Sequence, residues 1–182
     1  MKNLYKIVLG CTPKGRLTEQ HDVYFGIAES INALKTNIIN FWPVEDLHLD
    51  SWEQINYIDN YEIKIVEKNH NLKSKDLYLF FFNLGGYIKG VFEEQHSQKI
   101  VVAKNKTEAI KKIKETEFYK DYSITGGKSH IDNQYGVAID EVFKIDDILE
   151  EEFRNTYSII IEPILHPKTN PHKIGYIKLS SI

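Results

Sequence analysis

Cysteine is almost missing from this chain of 182 residues. Cys11 stands alone, which rules out an intrachain disulfide and a thiolate metal cluster and fits a reducing compartment. Long hydrophobic runs are missing too: Leu77 to Leu84 (LYLFFFNL) is far short of the roughly 20 apolar residues that a spanning helix needs. The opening MKNLYKIVLGC is interrupted by Lys6 and followed by no small-residue cleavage site, so it does not read as a signal peptide. We expect a cytoplasmic protein with no membrane partner. Nor is there an excess of basic residues. Lys and Arg total 23 against 26 Asp and Glu, for a net charge of −3, whereas a nucleic-acid binder carries a basic face.

What is present is ample material for a core. At 42% apolar content, the chain can form one domain or two small halves without a stabilising metal or disulfide. One pattern also occurs twice: LGCTPKGRLTEQH at Leu9 to His21 returns as LGGYIKGVFEEQH at Leu84 to His96, without a gap. The spacing predicts a tandem duplication.

In the first copy, Leu4 to Gly10 reads as a strand. Thr12-Pro13-Lys14-Gly15-Arg16 is a turn, and Glu19 to Ala28 is the returning strand of a hairpin. A tight turn at Lys14-Gly15 places Gly10 opposite Glu19 and Val8 opposite His21. Ser30 is an expected N-cap for a helix over Ile31 to Phe41, which Pro43 ends. LHLDSW then reads as an irregular connection, and Tyr61 to Val66 alternates as a half-exposed strand. In the second copy Leu77 to Leu84 and Glu94 to Ala103 are the strands, the former with both faces covered. Asn105 and Glu108 offer a capping box for the second helix. His130-Ile131-Asp132 echoes His48-Leu49-Asp50, Ile139-Asp140 echoes Ile58-Asp59, and Ile145 echoes Ile65. Beyond the repeats, DDILEEEF predicts a short helix. Tyr157 to Leu165 and Lys173 to Leu179 predict a C-terminal hairpin, with Pro163 on an edge.

The expected fold is therefore α+β: a tandem duplication of a β-β-α-β unit with a C-terminal β-hairpin. Its parts are repeat one over 1–66, a linker over 67–76, repeat two over 77–145, and an acidic segment with the hairpin over 146–182, the repeats sharing one compact domain. A homodimer formed through the hairpin's edge fits this plan.

Chemistry is less legible. Gly10 to Gly15 and Gly85 to Gly90 fit G-x-x-x-x-G, but Arg16-Leu17 and Val91-Phe92 follow where a P-loop needs Lys and Ser or Thr before a helix. His21-Asp22 matches the His-Asp pair of metal-dependent phosphohydrolases, whose ligands sit on helices, and Ser97 replaces Asp22 in the second copy. The better constellation is Glu19, His21, His48 and Asp50 with Glu94, His96, His130 and Asp132. It repeats a set of imidazole and carboxylate groups suited to a divalent metal. The plainer reading makes His21 and His96 core-edge histidines bonded to backbone carbonyls, and Asp50 and Asp132 turn caps. Cys11 has Gly86 as its counterpart and no evident basic partner. His70, His166 and His172 read as surface residues, and Trp52 as a core residue.

Several segments resemble an uncharacterised bacterial family, domain of unknown function 1543. These are Glu19, His21 and Asp22, then Leu49 to Trp52, then Asn83-Leu84-Gly85-Gly86-Tyr87, within a span from Leu4 to Ile145. Cys11 stands where that pattern carries a second Gly. The resemblance implies the duplicated architecture and no reaction, cofactor or catalytic residue. The function expected first is a non-catalytic binding module for a small molecule or protein. The alternative is a metal-dependent hydrolase with His and carboxylate ligands drawn from both repeats.

Overall fold

The computed structural model describes residues 1–69, 76–86, 91–116, 137–166 and 168–182, with the side chains of 137–140 left aside. The chain forms two compact units, Met1–Lys73 with Leu149–Ile182, and Ser74–Ile148.

In the first unit, β1 (Asn3–Cys11) lies between β2 (Gln20–Ala28) and β3 (His48–Ile55). β10 (His172–Lys178) completes the order β10-β3-β1-β2, all antiparallel. Alternation along β1 gives the sheet two different faces. Tyr5, Ile7, Leu9 and Cys11 bury one of them. A 3₁₀ turn (Ile31–Leu34) and α1 (Lys35–Phe41) follow. Leu34 packs onto β2 at Gly26, where an added Cβ would lie 2.8 Å from Leu34 Cδ2. Leu34 and Ile38 are fully buried, worth about 1.5–3 kcal/mol for each such side chain. On the other face Leu4, Phe25, Ile27 and Ile55 are buried at one end, while Lys6 and Val8, toward Gly10, remain half-buried.

The remaining strands of this unit make a second sheet. β4 (Tyr57–Ile58), β5 (Tyr61–Glu67) and β9 (Tyr157–Pro163) pair in that order. Pro163 ends an edge strand, where its missing N–H disturbs no central ladder.

In the second unit, β6 (Tyr78–Gly86) lies between β7 (Gln95–Ala103) and β8 (Val137–Lys144). Phe80, Phe82, Leu84, Val101 and Ala103 pack with Ala109 and Ile113 of α2 (Lys106–Lys114). Asn105 caps α2 by accepting the Glu108 N–H at 3.0 Å, and the Glu108 carboxylate accepts the Lys104 N–H at 3.1 Å. The acidic run forms two short helices instead of one, α3 (Ile145–Ile148) in this unit and α4 (Glu151–Thr156) in the first.

Several expectations need correction. Gly10 pairs with His21 and Val8 with Val23, two residues from the expected register, because Thr12 to Glu19 all lie outside the strands. Ser30 makes no side-chain cap bond, and the first helix opens as 3₁₀. His48-Leu49-Asp50 belongs to strand β3, not to an irregular connection. A bulge in the pairing with Val8 and Leu9 leaves Asp50 as the extra residue and breaks the period of two that sequence reading relies on. The C-terminal strands form no hairpin: β9 joins β5 and β10 joins β3, in different sheets. Each finds an open edge of an earlier strand.

β6 carries the same irregularity between Asn83 and Leu84, against Glu141 and Ile139. Ile139 therefore faces Leu84 as Leu49 faces Leu9, and Asp140 is the extra residue where β3 has Asp50. Opposite Gly85 stands Ala138, where His48 stands opposite Gly10. In the pairing, Asp140 thus holds in β8 the place that Asp50 holds in β3, and Ala138 that of His48; His130 and Asp132 lie outside the described residues.

Candidate metal centre

Three neighbouring strands place His21, Gly10 and His48 in one row across the first sheet. Gly10 is the floor between the two imidazoles. A Cβ there would come within 2.7 Å of His48 Nε2, 2.8 Å of Asp50 Oδ2 and 3.3 Å of Glu19 Oε1, so any other residue would collide with the cluster above it. Glu19 enters from the residue just before β2, and Asp50 from the bulge in β3.

The four side chains interlock. His48 Nε2 lies 2.8 Å from Glu19 Oε1 and 3.3 Å from Asp50 Oδ1. His21 Nε2 lies 3.3 Å from Glu19 Oε2 and 3.1 Å from Asp50 Oδ2. Each carboxylate thus offers one oxygen to each ring. Metal–ligand bonds of about 2.1 Å set neighbouring ligand atoms roughly 3.0–3.4 Å apart at octahedral or tetrahedral angles, and most of the observed separations fall in or near that range. Ligand atoms of Glu19, His21 and Asp50 all lie within 4.8 Å of one another, a group that does not include His48, which approaches only the two carboxylates from the buried side.

The protonation of His48 argues in the same direction. Its Nδ1 is 3.0 Å from the carbonyl oxygen of Asp46, which can only accept, so Nδ1 carries the hydrogen. Asp46 is held at φ 59° in the turn before β3, a conformation Asp tolerates better than most residues. In the neutral ring Nε2 is then a lone pair aimed at carboxylate oxygens. His48 is 6% exposed, and its Nε2, with Asp50 Oδ2, makes no hydrogen bond despite burial. A lone pair facing anions in a buried place is repulsive until a proton or a metal cation sits between them, and a carbonyl bonded to the other ring nitrogen is the usual orienting partner of a metal-ligating histidine.

The outer side is open. The side chains of Glu19 and His21 are 40% and 50% exposed, which leaves room for water or a further ligand. The ring of Tyr176, on β10 just after Gly175 at φ 113°, leans on His48 at 4.4 Å between centroids.

Of the remaining sequence candidates, Glu94 and His96 lie in the second unit, 3.7 Å apart. His130 and Asp132, like His70, fall outside the described residues. His21 is not a core-edge residue and Asp50 is not a simple turn cap, because both join the cluster. His166 and His172 are exposed, as expected. Cys11 is fully buried, and burial, helped by the Glu19 carboxylate, pushes its thiol up. It therefore stays protonated and offers no thiolate. Trp52 packs edge-on against Tyr5, 6.1 Å between centroids, on the strand face opposite Gly10. Sequence reading missed Gly10 as the floor of the site. The signal was a Gly at the next-to-last position of the strand, opposite a His on each side once the register is known.

No helix among the described residues is long and apolar enough to cross a membrane. No curated protein matches the chain. Among solved structures it is similar to the crystal structure of a protein Il1583 from Idiomarina loihiensis, with 20% identity, a TM-score of 0.64 and 98% of each chain covered. At that identity the likeness is one of fold. Residues 16–65, the segment that supplies Glu19, His21, His48 and Asp50, match the family model described as Domain of Unknown Function (DUF1543).

Proposed function

We propose that the first unit is a metal-binding module that holds one divalent transition cation, such as zinc, through His21, His48, Glu19 and Asp50. The observation that carries this reading is the buried Nε2 of His48, which faces two carboxylates without a hydrogen bond. Mixed imidazole and carboxylate donors suit zinc and its neighbours better than calcium or magnesium. All four donors belong to the first unit, so the set does not require ligands from the second.

The chain is also read as a tandem duplication whose second copy has lost the full site. The paired strands in support are Asn3 with Ala28 and Tyr78 with Ala103, together with the matching bulges. The second copy keeps Glu94, His96 and, by register, Asp140, but Ala138 replaces the buried imidazole. The expected stoichiometry is therefore one metal per chain. Calorimetric titration of chelator-treated protein with zinc should show one site, abolished in His21→Ala and His48→Ala. No heat of binding, or equal binding by both variants, would remove this reading.

A metal-dependent hydrolase is the second reading. The exposed outer sides of Glu19 and His21 favour it, because catalytic metal sites keep a position open for water. Metal-dependent turnover of ester or phosphoester reporters, lost in His48→Ala, would support it. Full metal loading without any turnover would leave the binding module.

A further inference from the structure

The face that carries the metal donors continues into a cleft of about 320 Å³, near the lower bound of about 300 Å³ for small-molecule sites. Its floor is the next part of the same strands. Val8 and Lys6 follow Gly10 backward along β1 with the period of two, and Ser51, Glu53, Ile174 and His172 stand beside them on β3 and β10.

The cleft changes character along its length. Val8 and Ile174 make its middle apolar. At the far end Lys6 and Glu53 are directly paired across β1 and β3, and His172 is paired with Glu53 from β10. That row offers an ammonium, a carboxylate and an imidazole side by side. It is also held in place: Asn170 donates to Glu53 Oε1 at 2.9 Å and accepts the N–H groups of Asn56 and Tyr57 at 3.0 and 2.8 Å. His172 Nδ1 lies 3.0 Å from the Asn170 carbonyl, so Nδ1 donates and Nε2 is left as an acceptor.

From these positions we infer that the cleft binds the zwitterionic end of an amino acid or short peptide, whose extension reaches the metal. The ligand carboxylate meets Lys6, and its ammonium meets Glu53 and His172 Nε2. The side chain or peptide extension lies over Val8 and Ile174 and brings an oxygen donor to the open side of the metal. Four residues from Lys6 to Gly10 span about 13 Å of strand. Side chains projecting from both ends shorten the gap to the length of a small amino acid or dipeptide. This inference rests on the metal reading and adds the ligand class.

The test is calorimetric titration of the zinc-loaded protein with L-glutamate and L-glutamine. N-acetyl-L-glutamate and γ-aminobutyrate, which lack the ammonium and the α-carboxylate respectively, serve as controls. We expect binding of at least one amino acid, weakened tenfold or more in either control, in Glu53→Gln and in Lys6→Met. Both variants should retain zinc, which elemental analysis of the same samples reports. Absence of binding by either amino acid to fully loaded protein, or equal binding of the controls, overturns the inference and leaves the metal reading intact. Failure of zinc to load removes both, and the metal measurement tells the cases apart.

Discussion

Gly10 and His48 face each other across β1 and β3, and a Cβ on Gly10 would lie 2.7 Å from His48 Nε2. The imidazole can occupy its place only because the opposing residue has no side chain. The nearest obstacles are side-chain atoms, not backbone, so the sheet can accept the change while the donor geometry cannot. Gly10→Ala should keep the far-ultraviolet circular dichroism of the parent and lose zinc affinity by tenfold or more, the scale seen when metal ligands are misplaced. Unchanged affinity would mean that His48 is not a ligand.

Metal binding should also stabilise the first unit. A ligand that binds only the folded state at 100 times its dissociation constant adds about 2.7 kcal/mol. For a chain of this size that corresponds to a rise of roughly 5–10 °C in the transition temperature. Differential scanning calorimetry with and without zinc measures it, and His48→Ala should show no zinc-dependent shift.

The second unit should contribute nothing to metal content. His96 has Glu94 beside it at 3.7 Å, but Ala138 occupies the register position of the buried imidazole. His96→Ala should leave one zinc per chain by elemental analysis. A fall to half the parent content would show instead that both units bind.

These expectations show how unevenly the sequence speaks. The duplicated Leu-Gly stretches and alternating strands made β1, β2, β6 and β7 legible, because exposed turns and period-two patterns are local properties. Glu19, His21, His48 and Asp50 were recognisable as suitable donors by type. Their convergence was not, because it depends on the β3 bulge at Asp50, which shifts the face on which residues count. Likewise, no local pattern marks that Ala138 to Asp140 pair with β6 as His48 to Asp50 pair with β1. The separation of β9 and β10 into two sheets was equally hidden, since each pairs with a strand distant in sequence, as Ile161 with Ile63 and Ile177 with Leu49.

Tyr24 provides a test of the fold that is independent of metal. Its hydroxyl donates to Glu150 Oε1 at 2.6 Å, and Asn37 donates to the other oxygen at 2.9 Å. Burial first, and then the hydrogen bond to Glu150, raise the phenol far above its ordinary value. Because the folded state holds this proton more tightly than the unfolded one, the contribution is complete below about pH 10 and is lost as pH rises toward the folded value. Tyr24→Phe should cost about 1–2 kcal/mol at neutral pH. Above pH 10 the parent's urea midpoint should fall toward that of the variant; parallel profiles through that range would contradict the assignment.

The most direct measurement of the central claim is X-ray absorption at the zinc edge of the loaded protein. The account predicts a first shell of nitrogen and oxygen at about 2.0–2.2 Å, with the outer-shell scattering of two imidazoles. A sulfur scatterer at about 2.3 Å, or a shell of oxygen alone without imidazole scattering, would contradict it.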